Sequence, residues 1–211
     1  MHITTLTQLR GLYAAPTERA VKKQLLELDV HCQRFIALSP FVVLATSGGS
    51  GGGSGGGSGP GAQDASPRGG SPGFVQVPDA HTLLIPDAPG NNRLDSLENI
   101  VACGEVGLLF LIPGVDETLR VNGSALLSRA RADIARCTNE KRQPTLVIRI
   151  TVRDAYLHCA KALMRSQLWG PAALIDRSCL PTAGQMLKDH TGVETPPETP
   201  EEMRLRYQPD L

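Results

Sequence analysis

The sequence carries no excess charge and has few aromatic residues. Lysine and arginine total 21, aspartate and glutamate total 21, and aromatic residues make up 4% of the 211 positions. A balanced charge gives no long-range field to attract nucleic acid or an anionic membrane. No stretch approaches the roughly 20 apolar residues of a membrane span, and residues 1–10 lack the pattern of a signal peptide. We therefore expect a soluble, cytoplasmic protein with no nucleic-acid or membrane partner.

Cysteines are too few and too scattered for a disulfide framework or a zinc site. The chain has five, an odd number, and no CxxC motif. His31-Cys32 and His158-Cys159 are adjacent pairs, but one such pair supplies too few converging ligands for a metal. We predict reduced thiols that pack in the core or on helix faces, and no metal.

Motifs for nucleophilic or metal-assisted catalysis are also missing. The sequence has no GxSxG, no HExxH and no paired-carboxylate motif. His158 and Tyr156 are available as acids, but nothing in the pattern selects either, so the catalytic residues are unknown. Any reaction would have to be supplied by a cofactor, which the polar residues would hold.

Apolar spacing divides the chain into three parts. Residues 1–40 read as an N-terminal helical segment, with helices at Thr17–Leu28 and Val30–Leu38, that packs on the next part. Residues 41–169 form the main domain, and residues 170–211 form a C-terminal extension. Residues 47–59 are almost entirely glycine and serine, which is typical of a flexible loop, either natural or an engineered linker.

Short segments rich in Val, Ile and Leu predict a mainly β domain with helical additions, of the α+β class. The predicted strands are Phe41–Thr46, Ala62–Ser66, Gly73–Val77, His81–Ile85, Val106–Ile112, Thr118–Leu127 and Thr145–Val152. One helix, Asn91–Cys103, interrupts them, with Asn91 or Asn92 as its N-cap. Strands in runs with one crossover helix favour an antiparallel barrel over a doubly wound sheet.

The segment Ala65–Gly70 combines a hydroxyl, a fixed turn, a guanidinium and two glycines. Arg68 could bind an anion or a carbonyl group, and glycine lets a ligand approach the backbone closely. The alternative, an ion pair between Arg68 and a nearby carboxylate such as Asp64, is equally open at this stage.

A second segment, Ile85–Asn99, runs from a strand through a turn into a helix. The first turn of a helix presents unpaired N–H groups and the positive end of the dipole, which together favour phosphate. Arg93 could add a charge-assisted contact, with Asn92 and Ser96 beside it. Alternatively, Asn92 and Asp95 cap the helix and Arg93 is solvated.

A third segment, His158–Trp169, has helical spacing. On a helix His158, Lys161 and Arg165 would lie on one face, which is either a solvated basic face or a ligand contact. Trp169, the single tryptophan, could border an aromatic ring system.

Taken in order, these segments resemble one flavoprotein family. Ser66-Pro-Arg-Gly69, the run from Ile85 to Ser96, Val106–Gly114, Leu119–Gly123 and His158–Arg165 are similar to the pyridoxamine 5'-phosphate oxidase-like superfamily. The resemblance covers about residues 29–169. It implies an antiparallel split β-barrel of the FMN-binding type that forms a homodimer, with FMN between the two subunits.

The resemblance also implies roles for particular residues. The strand with Ser66, Pro67, Arg68 and Gly69 would line the isoalloxazine ring. Asn92, Arg93 and Ser96 would bind the phosphate or ribityl chain. Arg120 and Asn122 would lie on a strand that runs beside the flavin. Lys161, Arg165 and Trp169 would close the site, from the same subunit or the other one.

Departures from the family pattern limit what the resemblance implies. Authentic pyridoxamine phosphate oxidases place two adjacent basic residues at the phosphate, whereas this chain has Asn92-Arg93, and their C-terminal substrate segment has no clear counterpart. We therefore expect an FMN-dependent oxidoreductase acting on a small organic substrate, with vitamin B6 oxidation itself not expected. Alternatives are a non-catalytic flavin-binding or sensory module, or the same fold with a deazaflavin or haem.

Overall fold

Seven strands and eight α-helices make up the chain in a computed structural model that describes residues 2–48, 63–139 and 141–210. The strands are β1 Phe41–Ser47, β2 Gln63–Gly69, β3 Gln76–Asp79, β4 Thr82–Pro86, β5 Glu105–Leu111, β6 Thr118–Ser128 and β7 Val147–His158. The α-helices are α1 Leu6–Arg10, α2 Glu18–Lys22, α3 Val30–Leu38, α4 Asp95–Ala102, α5 Arg131–Cys137, α6 Lys161–Ser166, α7 Ala183–Thr191 and α8 Pro200–Tyr207. Short 3₁₀ helices lie at Pro171–Ala173, Arg177–Cys179 and Gln208–Asp210.

All seven strands join one antiparallel sheet in the order β2-β1-β5-β6-β7-β4-β3. The non-sequential order puts strands β3 and β4 at the opposite end of the sheet from β1 and β2. The predicted α+β class and antiparallel split barrel are confirmed. Most of the Gly/Ser segment, from residue 49 onward, lies outside the described residues, and so does Ala62, the first residue of one predicted strand.

The main core lies on one face of this sheet and is covered by helix α3, while a smaller buried cluster of Leu84, Val147, Ile134 and Cys137 lies on the opposite face at α5. Alternate residues of β5 (Val106, Leu108 and Phe110) are buried, as strand periodicity requires. Ile36 of α3 is 0% exposed and packs in the same cluster. Each such Ile, Leu or Phe side chain contributes roughly 1.5–3 kcal/mol by leaving water.

A β-bulge bends the two longest strands. Asn122 pairs with Asp154 but Gly123 pairs with Val152, which leaves Arg153 as the additional residue on β7. A Cβ atom on Gly123 would clash with the carbonyl oxygen of Thr151. Glycine at this position therefore allows the close approach of the two backbones at the bulge.

The helix predicted at Thr17–Leu28 is wrong beyond Lys22. Leu25 instead forms a two-way backbone bridge with Ala155, with N···O distances of 2.9 Å in both directions. A five-residue helix has little stability of its own, and the bridge lets Leu28 reach the core, where it is 1% exposed.

Three other elements differ from the sequence pattern. Helix α4 begins at Asp95, because Asn92 (φ 59°) and Leu94 (φ 61°) are left-handed and cannot continue a helix backwards. The strand predicted at Thr145–Val152 continues to His158, because pairing with β6 extends along that whole length. The strand predicted at Gly73–Val77 is also displaced, to Gln76–Asp79.

Candidate functional site

Arg68 lies on β2, the edge strand of the sheet. It pairs in register with Val42, which is 0% exposed, so its side chain lies on the core side. Pro67, which has no N–H to donate, is tolerated because the strand is at an edge. The Arg68 Nη1 atom lies 3.7 Å from Asp87 Oδ1, but its Nε is buried with no hydrogen-bond partner in the described part of the chain.

Asp64 is not the partner of Arg68, so the particular ion pair considered from the sequence is wrong. The Asp64 carboxylate accepts a hydrogen bond from the hydroxyl of Ser96, in the first turn of α4. One turn later Asn99 Nδ2 donates to Thr46 Oγ1 at 3.0 Å. These two bonds fix helix α4 against β1 and β2. No sequence motif signalled them, since the partners are 32 and 53 residues apart.

One face of β2 therefore carries two separate pairs: Asp64 with Ser96 of α4, and Arg68 with Asp87, which follows β4. Residues four apart in a strand lie roughly 13 Å from each other, so the two pairs are neighbours on that face without direct contact. The Arg68 guanidinium already has one carboxylate beside it, that of Asp87. A ligand here would contact Arg68 through an uncharged oxygen or through an anion balanced by further cations.

The connection before α4 supplies one such cation. Arg93 Nε donates to Asp95 Oδ2 at 2.9 Å, and the Arg93 side chain is 59% exposed. Asn92 does not cap the helix, and neither does Asn91, whose side chain accepts from the Arg93 backbone N–H at 3.1 Å. The N-cap is Leu94, without a side-chain bond, and the first turn carries Asp95 and Glu98. These carboxylates already offset part of the helix dipole.

Arg120 and Asn122 lie on the other face of the sheet. Arg120 pairs with Leu109, Leu109 with Val43, and Val43 with Pro67, so Arg120 shares a face with Pro67 and not with Arg68. Three strand spacings, or roughly 14 Å, separate Arg120 from Pro67. We call this side the outer face. Asn122 Nδ2 donates to Asp154 Oδ1 at 3.0 Å. Arg120 therefore does not join Arg68 within one chain.

The Arg120 guanidinium stacks on an aromatic ring. Its Cζ lies 4.2 Å from the centroid of the Tyr156 ring. Its Nε is buried and, within the ranges that the structure covers, has no hydrogen-bond partner. Arg68 and Arg120 thus each have a buried Nε–H donor without an acceptor. Such a donor destabilises the fold unless a ligand accepts a hydrogen bond from it.

The basic helical face predicted from His158 to Trp169 does not form. His158 ends strand β7, and α6 spans only Lys161–Ser166. Lys161 and Arg165 are exposed on that helix. Trp169 is half-buried, and its indole N–H donates to the carbonyl oxygen of Val115 at 2.9 Å. The tryptophan therefore anchors the chain to the β5–β6 connection.

Titration behaviour separates His158 from the cysteines. Burial, and then the positive charges of Arg120 and Lys23, lower the pKa of His158 below its usual 6.5. Burial raises the pKa of Cys32 to about 12 and that of Cys137 to about 11. Such thiols remain protonated core residues rather than nucleophiles.

The described ranges contain neither a candidate metal cluster nor a candidate membrane span. No group of three or more His, Cys, Asp or Glu side chains that could hold a metal ion occurs there. None of the helices described has the length and apolar character needed to cross a membrane.

The family follows from a match over most of the chain. The pyridoxamine 5'-phosphate oxidase family model matches residues 28–159, which is more than half of the 211 residues. The chain belongs to the pyridoxamine 5'-phosphate oxidase family. Comparison with curated proteins gives no match.

Solved structures give distant similarities. HupZ of Group A Streptococcus is 14% identical, with 61% of this chain and 92% of that chain covered and a TM-score of 0.47. The FAD-binding protein of Mycobacterium smegmatis is 16% identical, with coverages of 64% and 97% and a TM-score of 0.42. An FMN-binding protein of Syntrophomonas wolfei is 11% identical, with coverages of 60% and 80% and a TM-score of 0.41.

Proposed function

We propose that this protein binds FMN and is an FMN-dependent oxidoreductase that acts on a small organic substrate. The observation that carries the proposal is the buried Nε of Arg68, which has no acceptor in the described chain and lies on the edge strand of a fold from a flavoprotein-containing family. A ligand oxygen placed there would satisfy a donor that otherwise costs about 1–3 kcal/mol.

The two ends of FMN suit different parts of the site. Asp87 already offsets part of the positive charge of Arg68, so Arg68 is better matched to a carbonyl oxygen of the isoalloxazine ring than to a dianionic phosphate. Gly69 lies beside it, where a side chain would contact only the Pro40 carbonyl at 3.6 Å. The FMN phosphate would be bound by Arg93 and by the backbone N–H groups at the start of α4, with Asn92 and Ser96 adjacent.

When bound, a flavin supplies hydride or electron transfer, which the chain's own side chains lack. The residues of this site would bind and orient it. Asp64 and Ser96 hold α4 at a fixed distance from β2, which keeps Arg68 and Arg93 in one arrangement. No residue is assigned a proton transfer.

We further propose a homodimer in which the outer face of one subunit completes the site of the other. Arg120, Asn122, Lys161, Arg165 and Trp169 would then reach the flavin from the second subunit, since in one chain Arg120 faces away from Arg68. Exposed apolar side chains support this: Phe41 (37%) on the outer face of the sheet and Met164 (60%) on α6. Light scattering after size exclusion measures the mass directly.

The first test is the absorption spectrum of the purified protein, with released cofactor identified by mass. Flavin absorption bands and released FMN are the expected result. Release of FAD would make FAD, rather than FMN, the proposed cofactor. A colourless protein whose spectrum is unchanged by added FMN would overturn the proposal. Flavin retained without oxidation of any nicotinamide reductant would restrict the function to flavin binding.

Two variants locate the flavin. Arg68→Met and Arg93→Ala should each weaken FMN binding roughly ten- to hundredfold, since a charge-assisted hydrogen bond contributes about 1.5–3 kcal/mol. Arg204→Met on helix α8, with a side chain 76% exposed, is the matched control and should bind FMN normally. Equal affinities in all three would place the flavin elsewhere.

A further inference from the structure

Arg120, proposed above to face the flavin of the second subunit, lies on the outer face beside three side chains that have no role in the flavin site: Lys23, Tyr156 and His158. Two cations lie against the Tyr156 ring: Arg120 Cζ at 4.2 Å and Lys23 Nζ at 5.0 Å from its centroid. The His158 ring is tilted against the same tyrosine, with ring centroids 4.7 Å apart. We call Lys23, Arg120, Tyr156 and His158 the Tyr156 cluster.

The cluster is held by contacts that leave its charges uncompensated. Lys23 Nζ donates to the Leu157 carbonyl oxygen at 3.1 Å, which fixes the ammonium above the strand. None of the ion pairs formed by described carboxylates involves Lys23, Arg120 or His158. Asp154, on the same face, accepts from Asn122.

A further feature indicates a missing anion. The buried Nε of Arg120 has no acceptor among the described residues, so the guanidinium retains a directed N–H after stacking. Burial is the main cause that lowers the pKa of His158, and the positive charges of Arg120 and Lys23 lower it further, so both cations lie close enough to act on the ring.

We propose that the Tyr156 cluster binds a small oxyanion, the carboxylate or phosphate group of the substrate, at a site separate from the flavin phosphate. Arg120 Nε and Lys23 Nζ donate to its oxygens, and His158 donates when protonated. Tyr156 holds both cations by cation–π contact and walls the site. Calling the occupant a substrate rests on the proposed function, but anion binding itself does not.

Lys23 is the one member of the Tyr156 cluster that lies outside the segment matched by the family model. It comes from the C-terminal end of the short helix α2, outside residues 28–159 that match the family model. The bridge between Leu25 and Ala155 brings it onto β7. The N-terminal segment would therefore contribute to ligand selection.

The experiment is an NMR titration of the His158 ring protons, assigned with His158→Gln. Inorganic phosphate and acetate are each added, with sodium chloride at equal ionic strength as the reference. A saturable rise in the His158 pKa with phosphate or acetate, beyond that with chloride, is the expected result. Tighter binding of phosphate indicates a phosphorylated substrate, and tighter binding of acetate indicates a carboxylate.

Neighbouring lysines give a matched pair of variants. Lys23→Met should weaken the anion about five- to tenfold, whereas Lys22→Met, which loses only an exposed pair with Glu18, should leave it unchanged. Identical titrations in the two variants, or a response to chloride as large as to phosphate, would overturn the site.

FMN affinity is measured in the same two variants. It should be unchanged in both, and FMN should not compete with phosphate at His158. Competition together with equal loss of FMN and phosphate in Lys23→Met would make the cluster part of the flavin site instead. If FMN fails to bind any variant, the proposed function fails while the anion titration still decides this proposal.

Discussion

Ser96, in the first turn of α4, donates its hydroxyl to the carboxylate of Asp64 on edge strand β2. Ser96 is 4% exposed, so water does not readily replace the bond. The pair fastens the crossover helix to the strand that carries Arg68. It links the stability of the fold to the geometry of the proposed flavin site.

Removing this bond should therefore affect both properties. Ser96→Ala leaves a half-buried carboxylate without its donor, at a cost of about 1–2 kcal/mol in the free energy of unfolding. Urea denaturation measures that loss, and a FMN titration should show weaker binding. Ser124→Ala, at an exposed position on β6, is the control. Unchanged stability in Ser96→Ala would mean that the bond is replaced by solvent.

His158 predicts a pH dependence with a defined sign. Its folded pKa lies below the value of 6.5 for the unfolded chain, so the unfolded state binds the proton more readily. Stability should rise with pH between the two pKa values and be lost as pH falls through the folded one. His158→Gln should flatten this dependence in urea unfolding between about pH 5 and pH 8. His190→Gln, on exposed α7, should retain it.

The bulge opposite Arg153 predicts a strict requirement at one glycine. In Gly123→Ala the new methyl would clash with the Thr151 carbonyl oxygen and lie 3.2 Å from Ile150 Cγ2. We expect a loss of about 1–3 kcal/mol in the free energy of unfolding, typical of overpacking. Gly90→Ala, where nothing lies within 4 Å, should be neutral. Similar stabilities for the two variants would contradict the bulge.

The division at residues 1–40, 41–169 and 170–211 is a proposal that truncation tests. No described residue from 171 to 210 is buried, so deleting residues 171–211 should change the free energy of unfolding by less than about 1 kcal/mol. Deleting residues 1–40 removes Leu28, Cys32 and Ile36 from the core and should abolish cooperative unfolding. A tail deletion that unfolds the chain would contradict the division.

Local pattern was enough for several strands. Strand β1 was predicted at Phe41–Thr46 and β5 at Val106–Ile112, and both lie within one residue of the observed limits. Their signal is a short apolar run bounded by turn residues, which depends only on neighbours in the sequence. The order of such segments indicated an antiparallel barrel, and the resemblance to known flavoproteins implied its split form.

The partners of the site residues could not be read in the same way. Asp64 is four residues from Arg68 on the same face of β2, but the rise along a strand places it roughly 13 Å away. The carboxylate beside Arg68 is instead Asp87, which follows a strand at the opposite end of the sheet. His158 has the spacing of a helix with Lys161 and Arg165, yet pairing with Thr118 keeps it in β7. Long-range backbone hydrogen bonds overrode a local periodicity that fitted either element.

The sequence by itself determined the strand-rich class and the residue types available to hold a cofactor, since these follow from composition and local order, and its resemblance to known flavoproteins indicated the family. The tertiary structure decided that Arg68 and Arg120 face opposite sides of the sheet and that Lys23 lies beside Tyr156. Register sets the side on which each residue points, and a shift of one residue would reverse it. That register is fixed by pairings between strands far apart in the chain.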